Sequence, residues 1–151
     1  MITISEARLS SDASEWRNTT IAAEAFRKAQ SQPDDVAIHL ESEPDATYGA
    51  IAEEALRLIA ALHALGLRQG DVISFQLPNW REGAVIDIAA AALGLVVNPI
   101  VPIYRDAELR FILGDAASKL IANTLSDQGS VKFGLLDFLD VQLDLVVAAD
   151  L

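Results

Sequence analysis

The hydrophobic positions of this chain follow the period of a helix in some segments and the period of a strand in others. The clearest helical segment has apolar residues spaced i, i+4, i+7, i+8, i+11 and i+14, namely Ile51, Ala55, Leu58, Ile59, Leu62 and Leu65. This spacing predicts an amphipathic helix. Thr47 is a suitable N-cap for it, and Gly66 can adopt the left-handed conformation that ends a helix, with Leu67 placed for a Schellman contact.

A shorter helix and a hairpin are predicted before this segment. The helix is expected to begin at Thr19 or Thr20, to end before Pro33, and to carry one apolar face made of Ile21, Ala22, Ala25, Phe26 and Ala29. Residues 36–40 then alternate between apolar and other side chains, which predicts a half-buried strand. A turn at residues 43–45 leads into a short returning strand at residues 46–48.

The next segment predicts a strand followed by a helix. Residues 71–77 predict a strand that Pro78 ends, because proline cannot donate to a strand ladder. Asn79 and Glu82 have the three-residue spacing of a capping box, so the helix is expected to open there. It should continue to Leu93.

The alternation continues beyond that helix. Gly94 closes it, and the wholly apolar residues 95–97 predict a strand that is buried on both faces of a parallel sheet. Residues 98–104 are expected to form an extended loop that its prolines stiffen. Asp106 is the expected cap of another short helix, and residues 118–122 predict the following strand.

Strands and helices that alternate through short connections indicate parallel strands joined by right-handed crossovers. We therefore predict an α/β fold, a partial parallel sheet with crossover helices. Three parts are expected along the chain: an N-terminal extension (1–18), the α/β part (19–122) and a divergent tail (123–151). Within the tail, a helix from about Phe133 and a strand at residues 143–149 are expected.

Composition restricts the kinds of partner. The chain has 151 residues, is 52% hydrophobic, contains no cysteine and carries a net charge of −11 from 11 Lys and Arg against 22 Asp and Glu. So negative a surface repels nucleic acids and anionic membranes. The longest apolar run, at residues 88–97, is about half of the roughly 20 residues that a membrane span needs. Because the absence of cysteine fits a reducing compartment, we predict a cytoplasmic protein with neither a transmembrane segment nor a nucleic-acid partner.

Phosphate and metal sites are poorly supported by the motifs. The eight glycines form neither a G-x-G-x-x-G nor a G-x-x-x-x-G-K-[ST] pattern, so the backbone cradles of those sites are missing. The nearest candidate, residues 124–132, has one glycine and one lysine and is interpreted as a surface loop. Asp137, Asp140 and Asp144 would align on a helix, but a solvated acidic face explains them better than a cation site.

The remaining candidates for chemistry are interpreted as structural. His63 is expected to be partly packed beside Ile59 and Leu67, and His39 to face away from the core. Trp16 and Trp80 are expected to pack, Trp80 at the start of its helix. The adjacent acids Glu53–Glu54 and Asp34–Asp35 should point apart and form no catalytic pair. The residues themselves therefore assign no catalytic, cofactor-binding or metal-binding side chain.

Several short segments nevertheless resemble one family in their order and spacing. They read QPDDVAI at 32–38, TYG at 47–49, LGLRQGDV at 65–72, FQLPNW at 75–80, ALGLVVNP at 92–99 and IYRDAEL at 103–109. Together they resemble the start of the AMP-forming adenylating enzymes, which include the acyl-CoA synthetases. NPIVPIYR at 98–105 looks most like the branch that activates short- and medium-chain or cyclic acids, including the cyclohexanecarboxylate–CoA ligase type. Ala50 departs from the family, which usually has an acidic residue there.

The resemblance implies a partial AMP-binding domain over residues 19–122 and, in the intact enzyme, a two-step reaction. A carboxylate would attack the α-phosphate of ATP with Mg²⁺ present, and the thiol of coenzyme A would then displace AMP. The phosphate loop, the residues around adenosine and the lysine of the C-terminal domain of this family fall beyond the matched segments. We therefore expect no cofactor to bind here and interpret the chain as an N-terminal fragment of an acid–CoA ligase that is inactive alone.

Two other interpretations stay open. The chain could be a stand-alone, non-catalytic α/β interaction module, which would unfold cooperatively and have satisfied sheet edges. A truncated enzyme would instead leave residues 72–77 and 96–97 without neighbouring strands, and such edges promote self-association. A flavodoxin-like nucleotide binder fits the alternation of elements but lacks a phosphate cradle.

Overall fold

The computed structural model describes residues 19–40 and 44–124, and the backbone of 131–136 and 142–143. Its helices are α1 (Ile21–Ser31), α2 (Tyr48–Ala64), α3 (Arg81–Leu93) and α4 (Asp106–Asp115). Its strands are β1 (Val36–Ile38), β2 (Ala46–Thr47), β3 (Val72–Gln76), β4 (Val96–Pro99), β5 (Ser118–Thr124), β6 (Val131–Leu136) and β7 (Gln142–Leu143).

The main sheet has the strand order β4-β3-β5-β6-β7. β3 pairs in parallel with β4 on one side and with β5 on the other, while β5–β6 and β6–β7 are antiparallel. β1 and β2 form a separate antiparallel pair. The predicted α/β class with a partial parallel sheet is thus confirmed, and antiparallel strands extend one side of that sheet.

The tail departs from the prediction. The segment expected to become helical from about Phe133 is strand β6 up to Leu136, in register with β5, where Ala122 lies opposite Phe133. The open edge of β5 offers a full row of backbone partners, and pairing with it outweighs the weak helical pattern. Of the strand expected at 143–149, only Leu143 lies within the described residues.

The ends of α1 and α2 follow their capping residues. Thr20 Oγ1 accepts a hydrogen bond from Ala23 N–H at 3.1 Å, and Thr47 Oγ1 accepts one from Ala50 N–H at 3.2 Å. At the end of α2, Gly66 has φ +86° and Leu67 N–H donates to Leu62 O at 3.3 Å. This is the predicted Schellman motif, and it buries Leu67 to 3% exposure.

The starts of α3 and α4 differ from the prediction by one residue. Trp80, not Asn79, is the N-cap of α3, because Trp80 N–H donates to Pro78 O at 2.7 Å and Asn79 stays in that turn. Trp80 forms no side-chain capping bond, since its indole has no acceptor. Arg105, not Asp106, precedes α4. Its backbone N–H donates to the Glu108 carboxylate at 3.2 Å, which replaces the expected aspartate cap.

The buried side chains form two clusters. The larger lies between the sheet and helices α2 and α3 and includes Leu62, Leu67, Ile73, Leu77, Ile86, Ala89, Ala90, Leu95, Leu120 and Ala122. The smaller joins α1 to α2 and α3 and includes Ala22, Ala46, Ile51, Ala55, Val85 and Ile88. Ile21, expected on the apolar face of α1, is 64% exposed.

Strand β4 is not buried on both faces, contrary to the prediction. It lies at the edge of the sheet, and Val96 is 50% exposed. The expected loop at 98–104 also begins later, because Asn98 and Pro99 belong to β4. In the part of the chain that the structure describes, no helix is long and apolar enough to cross a lipid bilayer.

Candidate functional site

An open cleft of about 640 Å³ lies at the carboxyl ends of β3 and β4, beside the start of α3. Ligands of parallel α/β sheets bind in this position, outside the carboxyl ends of the strands. The cleft is lined by Phe75, Leu77, Pro78, Asn79, Trp80, Gly83, Ala84, Asp87, Pro99, Ile100, Val101 and Pro102. Most of these side chains are apolar, so the cleft favours a ligand with an apolar body.

Hydrogen bonds from β3 hold one wall of the cleft. Ile100 N–H donates to Phe75 O at 2.8 Å, which continues the β3–β4 ladder to the mouth. The Gln76 side-chain amide donates to Val101 O at 3.1 Å and to Tyr104 O at 3.0 Å. The loop after β4 is therefore tied to the sheet, and Pro102 within it limits its freedom further.

Asp87 is the one ionisable residue of the cleft lining. It is half-buried on α3 and has no hydrogen-bond or ion-pair partner among the described residues. Burial raises the pKa of its carboxyl group, with no neighbouring charge to offset the loss of water. The sequence prediction missed this residue, although the sequence carries a signal for it: Asp87 is the only charged residue between Gly83 and Val97.

The cleft does not fit a nucleoside triphosphate. A triphosphate needs cationic side chains or several converging backbone N–H groups, and the residues that line the cleft include no lysine or arginine. The nearby Arg81 is engaged elsewhere, 3.3 Å from the buried Glu54. The Asp87 carboxylate in the lining would also repel phosphate. No step of an ATP-dependent reaction can be assigned to these residues.

A second polar cluster lies within the sheet. Ser74 of β3 and Ser118 of β5 are almost fully buried, and their hydroxyl oxygens are 2.6 Å apart in a hydrogen bond. Asn98 of β4 donates its side-chain amide to Ser74 Oγ at 3.0 Å. A nucleophilic serine needs a neighbouring base, and each Ser here is bonded within the cluster. The cluster therefore links the three parallel strands and carries no chemistry.

The two histidines lie away from the cleft. His39 is exposed, as predicted, and its Nδ1 lies 2.8 Å from Asp45 Oδ2. The Leu40 N–H and the His39 ring together lower the pKa of Asp45. His63 is exposed, so the prediction that it packs beside Ile59 is wrong. The helix turns its ring to the solvent side of that apolar stripe.

The adjacent acids diverge as predicted at Glu53 and Glu54. Glu53 is exposed and forms an ion pair with Arg57 at 2.9 Å, while Glu54 is 8% exposed and faces Arg81. Burial raises the pKa of Glu54, and the Arg81 charge opposes that change. Glu54 Oε2 and Arg81 Nε have no hydrogen-bond partner. This pair was not predicted, because it joins α2 to α3 across 27 residues of sequence (81 − 54 = 27).

The other sequence candidates contribute little to a site. Trp80 is 37% exposed and lines the cleft, so it packs only in part. Trp16, residues 125–130 of the candidate phosphate loop, and the three aspartates of the tail lie outside the described residues. In the segments that are described, no three His, Cys, Asp or Glu side chains could hold a metal ion together.

The amino-acid sequence matches the model of a known protein family. The model of the family described as "AMP-binding enzyme" matches residues 25–144, more than half of the chain. The chain belongs to the AMP-binding enzyme family. The match runs past Asn123, into the segment predicted to be a divergent tail.

Individual relatives agree with this membership. The medium-chain fatty-acid–CoA ligase of Escherichia coli is 34% identical over 75% of this chain, and the sulfoacetate–CoA ligase of Cupriavidus necator is 33% identical over 88%. The chain spans only 20% and 26% of the lengths of these two relatives. What is shared is thus a minor part of each ligase.

Solved structures show the same fold. The inhibitor-bound N-terminal domain of FACL13 from Mycobacterium tuberculosis matches with a TM-score of 0.64 and 30% identity, covering 69% of this chain and 26% of that one. The N-terminal subdomain of NpsA from Klebsiella oxytoca matches with a TM-score of 0.63 at 20% identity, a likeness of fold alone. The expected likeness to the N-terminal domain of adenylating enzymes is confirmed.

Proposed function

We propose that this chain forms the first part of the large domain of an acid–CoA ligase and does not catalyse the reaction alone. The whole protein would convert a short- or medium-chain or cyclic carboxylic acid into its CoA thioester at the expense of ATP. The two relatives above support the ligase class, since both are named acid–CoA ligases. A cytoplasmic location and the absence of nucleic-acid partners remain predictions.

One observation carries the proposed inactivity. The cleft at the carboxyl ends of β3 and β4 is mostly apolar, contains a carboxylate and has no cationic side chain in its lining. On this ground we propose that the described part of the chain supplies the sheet of a ligase domain and does not itself hold ATP, Mg²⁺ or coenzyme A. In this proposal, the role of β3, β4 and β5 is to support elements that do the chemistry.

Product formation tests this proposal. The chain is incubated with ATP, Mg²⁺, coenzyme A and a series of acids from butyrate to decanoate and cyclohexanecarboxylate, and AMP is quantified. The Escherichia coli medium-chain ligase is the positive control. We expect no AMP above the level without protein; acid-dependent AMP formation over repeated turnovers would refute the proposal.

A stand-alone interaction module is the second candidate, and the pairing of β3 favours it. β3 has neighbouring strands on both sides, so the truncation prediction that residues 72–77 lack partners is wrong. A module would unfold in one sharp thermal transition and elute as a monomer. A broad transition from associated species would instead support a dependent fragment.

A further inference from the structure

The cleft at the ends of β3 and β4 has a chemistry that the ligase proposal does not use. A carboxylic acid substrate would be repelled by Asp87, and a triphosphate finds no cation in the lining. The Asp87 carboxylate is half-buried and has no counter-ion among the described residues, so a cation could fill that role. The net charge of −11 further concentrates cations near the surface.

The walls of the cleft suit the rest of a cationic ligand. Trp80 and Phe75 provide aromatic surface against which an apolar tail can pack. Pro99 and Ile100 add aliphatic surface to the lining. The cleft is open, and its volume of about 640 Å³ is ample for a ligand of a few heavy atoms.

We propose that this cleft binds a small organic ammonium ion, with the ammonium group held by Asp87 and a short apolar tail against Trp80 and Phe75. The carboxylate supplies the charge that selects an amine over an acid or an alcohol of the same length. The aromatic and aliphatic walls supply the affinity for the tail. This proposal is independent of the ligase assignment, because it uses only the residues of the cleft and no step of the ligase reaction.

Fluorescence titration of Trp80 tests the proposal directly. Trp16→Phe leaves Trp80 as the only tryptophan, since the chain contains two. Hexylammonium, hexanoate and hexanol are matched in length and differ in charge. We expect saturable binding of hexylammonium with a Kd on the order of 1 mM, as befits a ligand of few atoms, and no saturation with hexanoate.

Two variants separate charge from shape. Asp87→Asn keeps the volume of the side chain and should weaken hexylammonium binding by about tenfold or more. Asp115→Asn, an exposed position on α4 outside the cleft, is the matched control and should bind as the parent does. Gly83→Leu should fill the cleft and abolish binding without unfolding the chain, because a Cβ there meets nothing closer than Phe75 Cε2 at 4.0 Å.

A pH titration adds a readout that a general apolar surface would not give. Affinity for hexylammonium should fall as the Asp87 carboxyl becomes protonated, and bound hexylammonium should lower the pKa of that carboxyl in carbon-detected NMR. Equal binding of hexanoate, unchanged affinity in Asp87→Asn, or no saturation by hexylammonium would each overturn the proposal. AMP formation in the ligase assay, which would refute the proposed inactivity, would leave these binding results unaffected.

Discussion

At the scale of single residues, two aspartates show how surroundings decide ionisation. Asp71 Oδ1 lies 2.7 Å from Lys119 Nζ, and Arg68 N–H donates to Asp71 Oδ2 at 2.8 Å. The Lys119 hydrogen bond, then the Arg68 N–H, lowers the pKa of Asp71. Asp87 has no such partner, and burial raises the pKa of Asp87. The contributions of the two carboxyl groups to the free energy of unfolding should therefore change with pH in opposite directions.

We predict that Asp87→Asn stabilises the chain near neutral pH. A pKa raised in the folded state means that folding is favoured by protonation, so wild-type stability falls as pH rises through the window between the ordinary aspartate pKa of 3.8 and the raised value. The gain should be a few tenths of a kcal/mol because solvent screens the partly exposed carboxyl. Urea unfolding at a series of pH values measures it.

The same measurements on Asp71→Asn provide the opposite control. Because the folded pKa of Asp71 is lowered, its contribution to stability is present above the ordinary pKa and is lost as pH falls through the folded value. Asp71→Asn should therefore destabilise at neutral pH and lose that effect in acid. An Asp87→Asn effect that does not change with pH would contradict this account.

Ala117 offers a second residue-scale prediction. It has φ +48°, the left-handed region that side chains disfavour, just after α4 ends. Ala117→Gly should stabilise by roughly 0.5 kcal/mol, the relief of strain less the added entropy of the unfolded chain. Ala116→Gly, at φ −74°, is the control and should destabilise by roughly 0.5 to 1 kcal/mol. Equal effects of the two changes in thermal unfolding would refute this prediction.

At the scale of elements, prediction succeeded where a local signal decides the structure. Thr47 and Gly66 set the ends of α2 through bonds within a few residues, and both were readable from the sequence. It failed at β6, where pairing with β5 outweighs local preference. The Ser74–Ser118–Asn98 cluster was also unpredictable, because it depends on the register of three strands.

That cluster leads to a prediction about the sheet. Ser74→Ala would leave Asn98 Nδ2 and the buried Ser118 hydroxyl without their shared partner, at a cost of about 1–3 kcal/mol. Ser31→Ala is the matched control, since its exposed hydroxyl donates only to Lys28 O at 3.3 Å, and should change stability by less than about 0.5 kcal/mol. Chemical unfolding of both variants provides the comparison. Indistinguishable midpoints would show that the cluster does not hold the strands together.

At the scale of the whole molecule, the sheet edge bears on self-association. Val96 N–H and Ile100 N–H donate to Asp71 O and Phe75 O of the β3 segment. Because backbone groups alternate in a parallel ladder, the backbone nitrogens of Val97 and Pro99 point away from β3, toward the open edge. Pro99 has no N–H, which leaves β4 a single outward donor and discourages strand addition. Self-association was predicted from apolar strand edges that a truncated enzyme would leave unpaired, and it remains a prediction that Pro99 weakens.

The molecule as a whole was more predictable in its fold than in its candidate site. Alternating elements and family-like segments indicated the α/β sheet and the family, and both are confirmed. The cleft was not predicted, since its walls include two segments distant in sequence, Pro78–Trp80 after β3 and Pro99–Pro102 at the end of β4. Only the parallel pairing of β3 and β4 brings these segments together.

Isothermal titration calorimetry of the chain with Mg²⁺-ATP tests the central claim most directly. An AMP-binding enzyme scaffold without a triphosphate site should give only heats of dilution at any ratio of nucleotide to protein. The Escherichia coli medium-chain ligase, titrated in the same buffer, shows that binding would be detected. A saturable, stoichiometric heat from the chain alone would contradict the account.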